Sequence, residues 1–239
     1  MTSYPDKNCR KMRMAPEGVN IIAISGLLFL ISVMMSWIIG KKGSRWLTVL
    51  AGGWLGAVLQ FFRDPERIPP NDDDESGTII LSPADGKIIV IDHNPKDSPI
   101  DGPVCKVSIF MSPLNVHVNR SPIAGVVKTV EHYSGKFLSA FKPAASHENE
   151  RTVIVLDTPF GDVAFKQVAG FLARRIVFHP KPGDFLEAGQ RVGMIKFGSR
   201  VDLFMPNNIK LQINLGDRVT AGETIIGAIT DVKEDETDE

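Results

Sequence analysis

The hydrophobic positions follow two regimes along the chain. From Val19 to Ile39 the run VNIIAISGLLFLISVMMSWII carries no charge. Its length matches the roughly 20 residues that a helix needs to cross a hydrocarbon core, so it predicts a membrane element. A second apolar stretch, Trp46 to Phe62, follows the basic link Lys41-Lys42-Gly43-Ser44-Arg45. It is shorter, contains Gly52, Gly53 and Gly56, and ends at Arg63. Basic residues lie before the first stretch (Lys7, Arg10, Lys11, Arg13), between the two and after the second. The excess of positive charge on the cytoplasmic side therefore selects no single topology. A hairpin with both ends cytoplasmic places Lys41, Lys42 and Arg45 outside, which is disfavoured. One span plus an interfacial segment, or a shallow re-entrant pair, are the alternatives. A cleaved signal peptide fits poorly, because the run is long and no clear small-x-small site follows it.

The pattern then changes. Phe61 to Pro70 is charged and Pro-rich, and Asn71 to Gly77 continues it as an acidic run, read as a solvated loop. From Thr78 the apolar residues come in short Val- and Ile-rich groups separated by turn residues: Thr78–Leu81, Lys87–Ile91, Val104–Met111, Gly125–Tyr133, Thr152–Asp157 and Val163–Ala169. Such spacing predicts a mostly β domain, in a sandwich or distorted barrel. Helix signals there are confined to short turns at Leu114–Val116 and Leu172–Val177. The expected organisation is a membrane-associated helical element at 1–63, a linker at 64–77 and a β-rich domain at 78–239.

One internal repeat stands out. Gly183-Asp184-Phe185-Leu186-Glu187-Ala188-Gly189-Gln190-Arg191-Val192-Gly193 is similar to Gly216-Asp217-Arg218-Val219-Thr220-Ala221-Gly222-Glu223-Thr224-Ile225-Ile226-Gly227. Its glycines can supply positive φ at turns. The pattern resembles the hairpins of biotinyl- and lipoyl-type domains, which implies a barrel-sandwich frame. The carrier lysine of those domains lacks its usual Met-flanked context here: the segment between the repeats holds Lys196-Phe197-Gly198-Ser199-Arg200-Val201-Asp202.

Charge and composition narrow the function. The 239 residues carry a formal net charge of −1, with no basic stripe interleaved with aromatics, which argues against nucleic-acid binding. The two cysteines, Cys9 and Cys105, form no Cys-x-x-Cys pair, and the five histidines show no ligand spacing, so no metal is expected. Of the histidines, His117 lies between an apolar strand and a turn, a common place for a general base. Asp85, in Pro83-Ala84-Asp85-Gly86, is either a turn residue or a carboxylate that orients an imidazole. Arg174, Arg175, Arg151 and His147 are candidates for phosphate or carboxylate contacts, or for surface salt bridges.

Together these pieces resemble the phosphatidylserine decarboxylase family in its short branch. The resemblance rests on Phe61-Phe62-Arg63-Asp64-Pro65, Ser82-Pro83-Ala84-Asp85-Gly86, Met111-Ser112-Pro113 through His117, Asn149-Glu150-Arg151, Ala173-Arg174-Arg175-Ile176 and, most specifically, Phe197-Gly198-Ser199-Arg200-Val201-Asp202. It implies self-cleavage between Gly198 and Ser199, with chains 1–198 (β) and 199–239 (α). In the family's chemistry the serine hydroxyl attacks the Gly198 carbonyl and the resulting ester eliminates. Loss of ammonia then leaves a pyruvoyl group at position 199. That covalent group, without metal or pyridoxal phosphate, forms a Schiff base with phosphatidylserine and releases CO₂ and phosphatidylethanolamine. Ser199, His117 and Asp85 are then the catalytic residues. The implied partners are phosphatidylserine in the membrane and the two chains of one precursor; homo-oligomers are compatible with this. The implied location is the cytoplasmic membrane, with the catalytic domain facing the cytoplasm. One departure is evident: where the longer branch carries a second His, three residues after His117, this chain has Arg120. The base for self-cleavage is then His117 in both steps, or His147 or His179 brought in from elsewhere.

Overall fold

The computed structural model describes residues 11–40, 42–70, 78–139, 141, 144–170, 175–196 and 199–229. The chain divides into two compact units, Met1–Glu66 and Arg67–Glu239.

In the first unit, a short strand β1 (Met12–Met14) and a 3₁₀ turn lead into α1 (Val19–Ile39). Gly40, at φ 65°, ends the helix in the left-handed conformation open to glycine. Helix α2 (Lys42–Phe61) folds back along α1. The helices are pinned by polar contacts: Trp54 Nε1 donates to Ser25 Oγ at 3.0 Å, and Thr48 Oγ1 donates to the Ser32 carbonyl at 3.0 Å. Gly52 lies against the Phe29 ring, where even a methyl group would be tight. Among the described residues only α1 is long and apolar enough to cross a membrane. Leu27, Leu28, Leu30, Ile24, Ile31, Ile38, Ile39 and Trp37 are exposed, as expected of a surface meeting lipid rather than a core. Strand β2 (Arg63–Pro65) then pairs with β1, so the start of the Pro-rich run belongs to this unit's sheet.

The second unit contains β3 (Thr78–Leu81), β4 (Gly86–Asp92), β5 (Val104–Met111), β6 (Val118–Arg120), β7 (Gly125–Tyr133), the short helix α3 (Ala145–Glu148), β8 (Arg151–Asp157), β9 (Val163–Ala169), β10 (Arg175–Phe178), β11 (Phe185–Leu186), β12 (Arg191–Lys196), β13 (Ser199–Pro206), β14 (Ile209–Leu211), β15 (Arg218–Val219) and β16 (Ile225–Ile229). The six expected strands all form. Two expectations fail. Ser112–Asn115 is a hydrogen-bonded turn, closed by Asn115 N–H to the Ser112 carbonyl, and Arg175–Val177 is strand, because it pairs with Met194–Lys196; the rest of that second stretch, 172–174, lies outside the described residues.

Eight strands form one antiparallel sheet in the order β11-β7-β8-β9-β13-β5-β4-β15, and two three-stranded sheets, β10-β12-β6 and β14-β16-β3, complete the unit. The arrangement has an approximate internal two-fold. Strands β6 to β12 repeat the roles of β3, β4, β5, β13, β14, β15 and β16, so one copy is inserted between β5 and β13 of the other. The hydrogen bonds repeat with it. Gly222 N–H bonds the Ser82 carbonyl and Gly189 N–H the Ser121 carbonyl; Ile88 N–H bonds the Asp217 carbonyl and Val127 N–H that of Asp184. Each Gly-Asp repeat thus clasps one Ser-Pro turn, Ser82-Pro83 or Ser121-Pro122. Gly189 and Gly222 meet at the pseudo-axis, both at positive φ.

The inner face of the large sheet carries the core, including Val107, Ile109, Met111, Phe165, Val201, Leu203 and Met205 packed on Ile80, Val192, Ile195 and Ile226. The chain passes from one copy to the other between β5 and β6, through 112–117, and returns between β12 and β13. His117 lies at the end of one crossover, and Ser199 opens the strand after the other.

Candidate active site

Ser199 is the first residue of β13, and its neighbours hold it on both sides: it faces Met111 of β5 and Ala169 of β9. The side chain is fully buried and its hydroxyl donates to Met111 Sδ at 3.1 Å. Strand alternation sends Ser199 and Val201 to the inner face and Arg200 and Asp202 to the outer face. Gly198 and Phe197 lie outside the described residues.

His117 is fully buried. Its backbone carbonyl accepts from Ile195 N–H at 3.4 Å, which seats it opposite the strand that runs into the Gly198-Ser199 segment. Its Nδ1 is 3.0 Å from the Asn115 carbonyl. A carbonyl only accepts, so Nδ1 carries the hydrogen and Nε2 is the basic nitrogen.

Two buried amides that the sequence did not single out join this region. Asn119 Nδ2 lies 3.7 Å from Met111 Sδ, the same sulfur that receives the Ser199 hydroxyl, and Asn119 Oδ1 accepts from Gln167 Nε2 at 2.9 Å. Gln167 Oε1 is buried without a hydrogen-bond partner. Gln167 is two residues from Ala169 on the strand beside Ser199. A buried orphan acceptor costs free energy unless a donor arrives. Asn119 sits in the His117 segment, so proximity in sequence could have flagged it. Gln167 is brought in by strand register alone, and nothing local signals it.

Asp85 is held by its turn: Oδ1 accepts from Ala221 N–H at 2.8 Å, and Oδ2 pairs with Arg67 at 3.0 Å. Arg67 also pairs with Glu223 at 3.2 Å. The same turn presents the Pro83 carbonyl to Arg120 N–H at 3.0 Å. Arg120 is buried and donates from Nη1 to the Gly189 carbonyl at 2.9 Å. A guanidinium cannot act as the base; here it ties β6 to the Gly189 turn of the same copy at the pseudo-axis.

The remaining candidates disperse. His147 and Arg151 line one polar recess of about 320 Å³ with Asp97, Lys166 and Tyr133. Arg151 donates to the His147 carbonyl at 2.7 Å and lies 4.5 Å over the Tyr133 ring, holding the α3 turn. Arg175 is exposed at the start of β10, opposite Lys196. Arg174 lies outside the described residues.

The outer face behind Ser199 is ionic. Asp202 is fully buried and accepts from Arg200 Nε at 2.5 Å and from Ser146 Oγ at 2.6 Å; Arg200 Nη2 donates to Ser108 Oγ at 2.9 Å. Asp97 pairs with Lys106 at 2.7 Å and Lys166 at 3.1 Å. Burial acts to raise the Asp97 pKa, but the two ammonium groups outweigh it and hold the carboxyl well below the usual range. Asp97 therefore stays charged at neutral pH. Burial pushes the thiol of nearby Cys105 up to about 11, so it is neutral. Among the described residues no group of three or more His, Cys, Asp or Glu could hold a metal ion.

A family model described as phosphatidylserine decarboxylase matches residues 54–227. Relatives described as phosphatidylserine decarboxylase proenzyme include one from Desulfotalea psychrophila, 46% identical over 217 residues (90% of this chain, 96% of the relative). Another, from Chlorobium chlorochromatii, is 47% identical over 211 residues (88% and 97%). A third, from Amoebophilus asiaticus, is 42% identical over 232 residues (94% and 100%). A match over most of the chain, with Ser199 and His117 at the two crossovers of a nested β unit, means that the chain belongs to the phosphatidylserine decarboxylase family.

Proposed function

We propose that this chain is a membrane-anchored proenzyme that cleaves itself between Gly198 and Ser199 and then converts phosphatidylserine to phosphatidylethanolamine and CO₂. The observation that carries the reading is the seat of Ser199. It is a buried serine at the first position of a strand hydrogen-bonded on both sides, directly after a crossover. Cleavage before residue 199 leaves that strand in place. β13 belongs to the small chain of 41 residues, and both its neighbours belong to the large chain, so the ladder keeps α and β together without a covalent link.

His117 is the proposed base, with Nε2 taking the proton from Ser199 Oγ, because the Asn115 carbonyl commits Nδ1 as the donor. Asp85 acts in the same proposal by holding the turn against which the His117 segment is registered. The surroundings suit a pyruvoyl group at position 199, which needs little more room than serine. Gln167 Oε1 is an unfilled acceptor for the N–H of an incoming amine. Once formed, that group supplies the carbonyl that condenses with the lipid's amine and accepts the electron pair left by CO₂. Around it the chain excludes water with Met111, Ala169 and the core, so a developing charge meets fixed dipoles rather than solvent. Of the candidates for phosphate or carboxylate contacts, His147 and Arg151 share one polar recess, and Arg174 and Arg175 belong to a different stretch of the chain.

The assignment divides the chain into a membrane element at 1–63, a linker at 64–77 and a catalytic domain at 78–239, with α1 as anchor and the catalytic domain on the cytoplasmic side. The paired Gly-Asp repeats support a comparison of the frame with barrel-sandwich hairpins of the biotinyl-lipoyl type. Intact-mass measurement tests the proposal. Wild-type protein should give two chains, the small one blocked at its N-terminus, and Ser199→Ala one inactive chain. Decarboxylation by uncleaved protein would refute it. His117→Ala should block both steps, whereas cleavage without decarboxylation would assign the cleavage base elsewhere.

A further inference from the structure

We infer that a cavity of about 500 Å³ beside the Asp85 turn is the seat for the phosphodiester of the phospholipid substrate, with Lys87 and Arg218 as its cationic ligands. The inference rests on the proposed decarboxylase function and adds the place where the lipid is held.

Lys87 and Arg218 are direct cross-strand partners of β4 and β15, and both line the cavity. Side chains at such positions share one face about 5 Å apart, where two like charges repel. Neither has an ion-pair partner among the described residues. The acidic groups nearby are already engaged: Asp85 by Arg67 and Ala221 N–H, and Asp217 by Asn214 N–H at 2.7 Å. A cationic pair with no internal counter-charge is what an anionic ligand would relieve.

The internal two-fold sharpens the point. The equivalent cross-strand pair in the inserted copy is Val126 and Phe185, both exposed and apolar. The fold therefore does not need charge at this position. The cations occur only in the copy that carries Asp85.

The rest of the cavity suits a lipid rather than a soluble anion. Phe110 and Leu114 form its apolar side, and Leu114 is 74% exposed. Phe141, also largely exposed, meets Phe110 edge-on at 5.8 Å. Ser112 and Asn115 complete the wall. Ser112 directly follows Met111, which receives the Ser199 hydroxyl, and Asn115 holds His117. A phosphodiester at Lys87 and Arg218 therefore places glycerol and acyl carbons along the aromatic side. The headgroup lies toward the loop that carries the catalytic histidine.

The test uses full-length, self-cleaved enzyme in detergent micelles containing phosphatidylserine, and separately monomeric dihexanoyl-phosphatidylserine. Lys87→Gln with Arg218→Gln should process completely on a gel but raise KM at least tenfold with both substrates, since binding shared by ground and transition states appears in KM. The exchange Lys87→Arg with Arg218→Lys should stay within about threefold of wild type, and Lys128→Gln, remote and already paired with Asp162, should be unchanged. A KM for the double Gln variant within twofold of wild type would overturn the site. So would a loss seen only in micelles, which would show that the cations serve the surface rather than the lipid's phosphodiester. Wild-type protein that fails to decarboxylate would overturn the functional reading and the site with it; wild-type turnover with an unmoved KM overturns the site alone.

Discussion

Replacing Asp202 by Leu should destabilise the catalytic unit by about 3–5 kcal/mol, the usual cost of breaking a buried ion pair from one side. Asp202 is fully buried and is bonded by both Arg200 and Ser146, and Arg200 itself is only 3% exposed. Removing the carboxylate leaves a guanidinium and a hydroxyl without their acceptor, in a place water does not reach. Register enters too, because a one-residue slip of β13 would drive Arg200 and Asp202 into the apolar core and expose Val201 and Leu203. The measurement is best made in the Ser199→Ala background, so that a single uncleaved chain unfolds. All three tryptophans, Trp37, Trp46 and Trp54, lie in the first unit. Tryptophan fluorescence would therefore miss the event, and pulse proteolysis across a urea series is the suitable assay. With a slope of roughly 1–3 kcal/mol per molar urea, the midpoint should fall by about 1–5 M. Arg200→Met combined with Asp202→Leu should recover most of the loss, because apolar replacement of both partners is often neutral or better. A shift below about 0.3 M for Asp202→Leu, or a double variant as weak as the single one, would refute the reasoning.

Gly193→Ala should disrupt the β10–β12 ladder by about 3 kcal/mol or more, since its Cβ would lie 1.9 Å from the Val177 carbonyl oxygen; self-cleavage of the variant should fall sharply on a gel. Gly53→Ala, which meets nothing within 4 Å inside α2, should instead be neutral or stabilising by up to about 1 kcal/mol, read from thermal unfolding in detergent. Arg120→His should not accelerate self-cleavage in a pulse-chase experiment, because it removes the bond to the Gly189 carbonyl that ties β6 to that turn. Asp97, whose folded pKa is depressed, contributes stability that is present above the ordinary carboxylate pKa and is lost as pH falls through the folded value. Wild-type protein should therefore lose stability more steeply below about pH 4 than Asp97→Asn does, as followed by urea midpoints between pH 5 and pH 3.

Local pattern determined much of this protein. The uncharged run at Val19–Ile39 reads as a helix suited to lipid because length and apolarity are additive along the chain, and α1 has those bounds. The β runs from Thr78 to Ala169 read as strands for the same reason: alternation and turn residues act over a few positions. Gly198-Ser199 and His117 stood out because their motifs are contiguous. The tertiary structure decided what depends on register between distant segments. It made Arg175–Val177 a strand through pairing with β12, and recruited Gln167 to the Ser199 region through β9. It also turned the Gly-Asp repeat into a nested two-fold by clasping two Ser-Pro turns that lie far away in sequence. Arg120 shows the difference most plainly. In the sequence it is an arginine where the longer branch has a histidine; in the fold its guanidinium reaches the Gly189 carbonyl, 69 positions away. Helix and strand preferences are short-range free energies that a linear pattern records, whereas the partners of a buried charge are set only when the chain closes on itself.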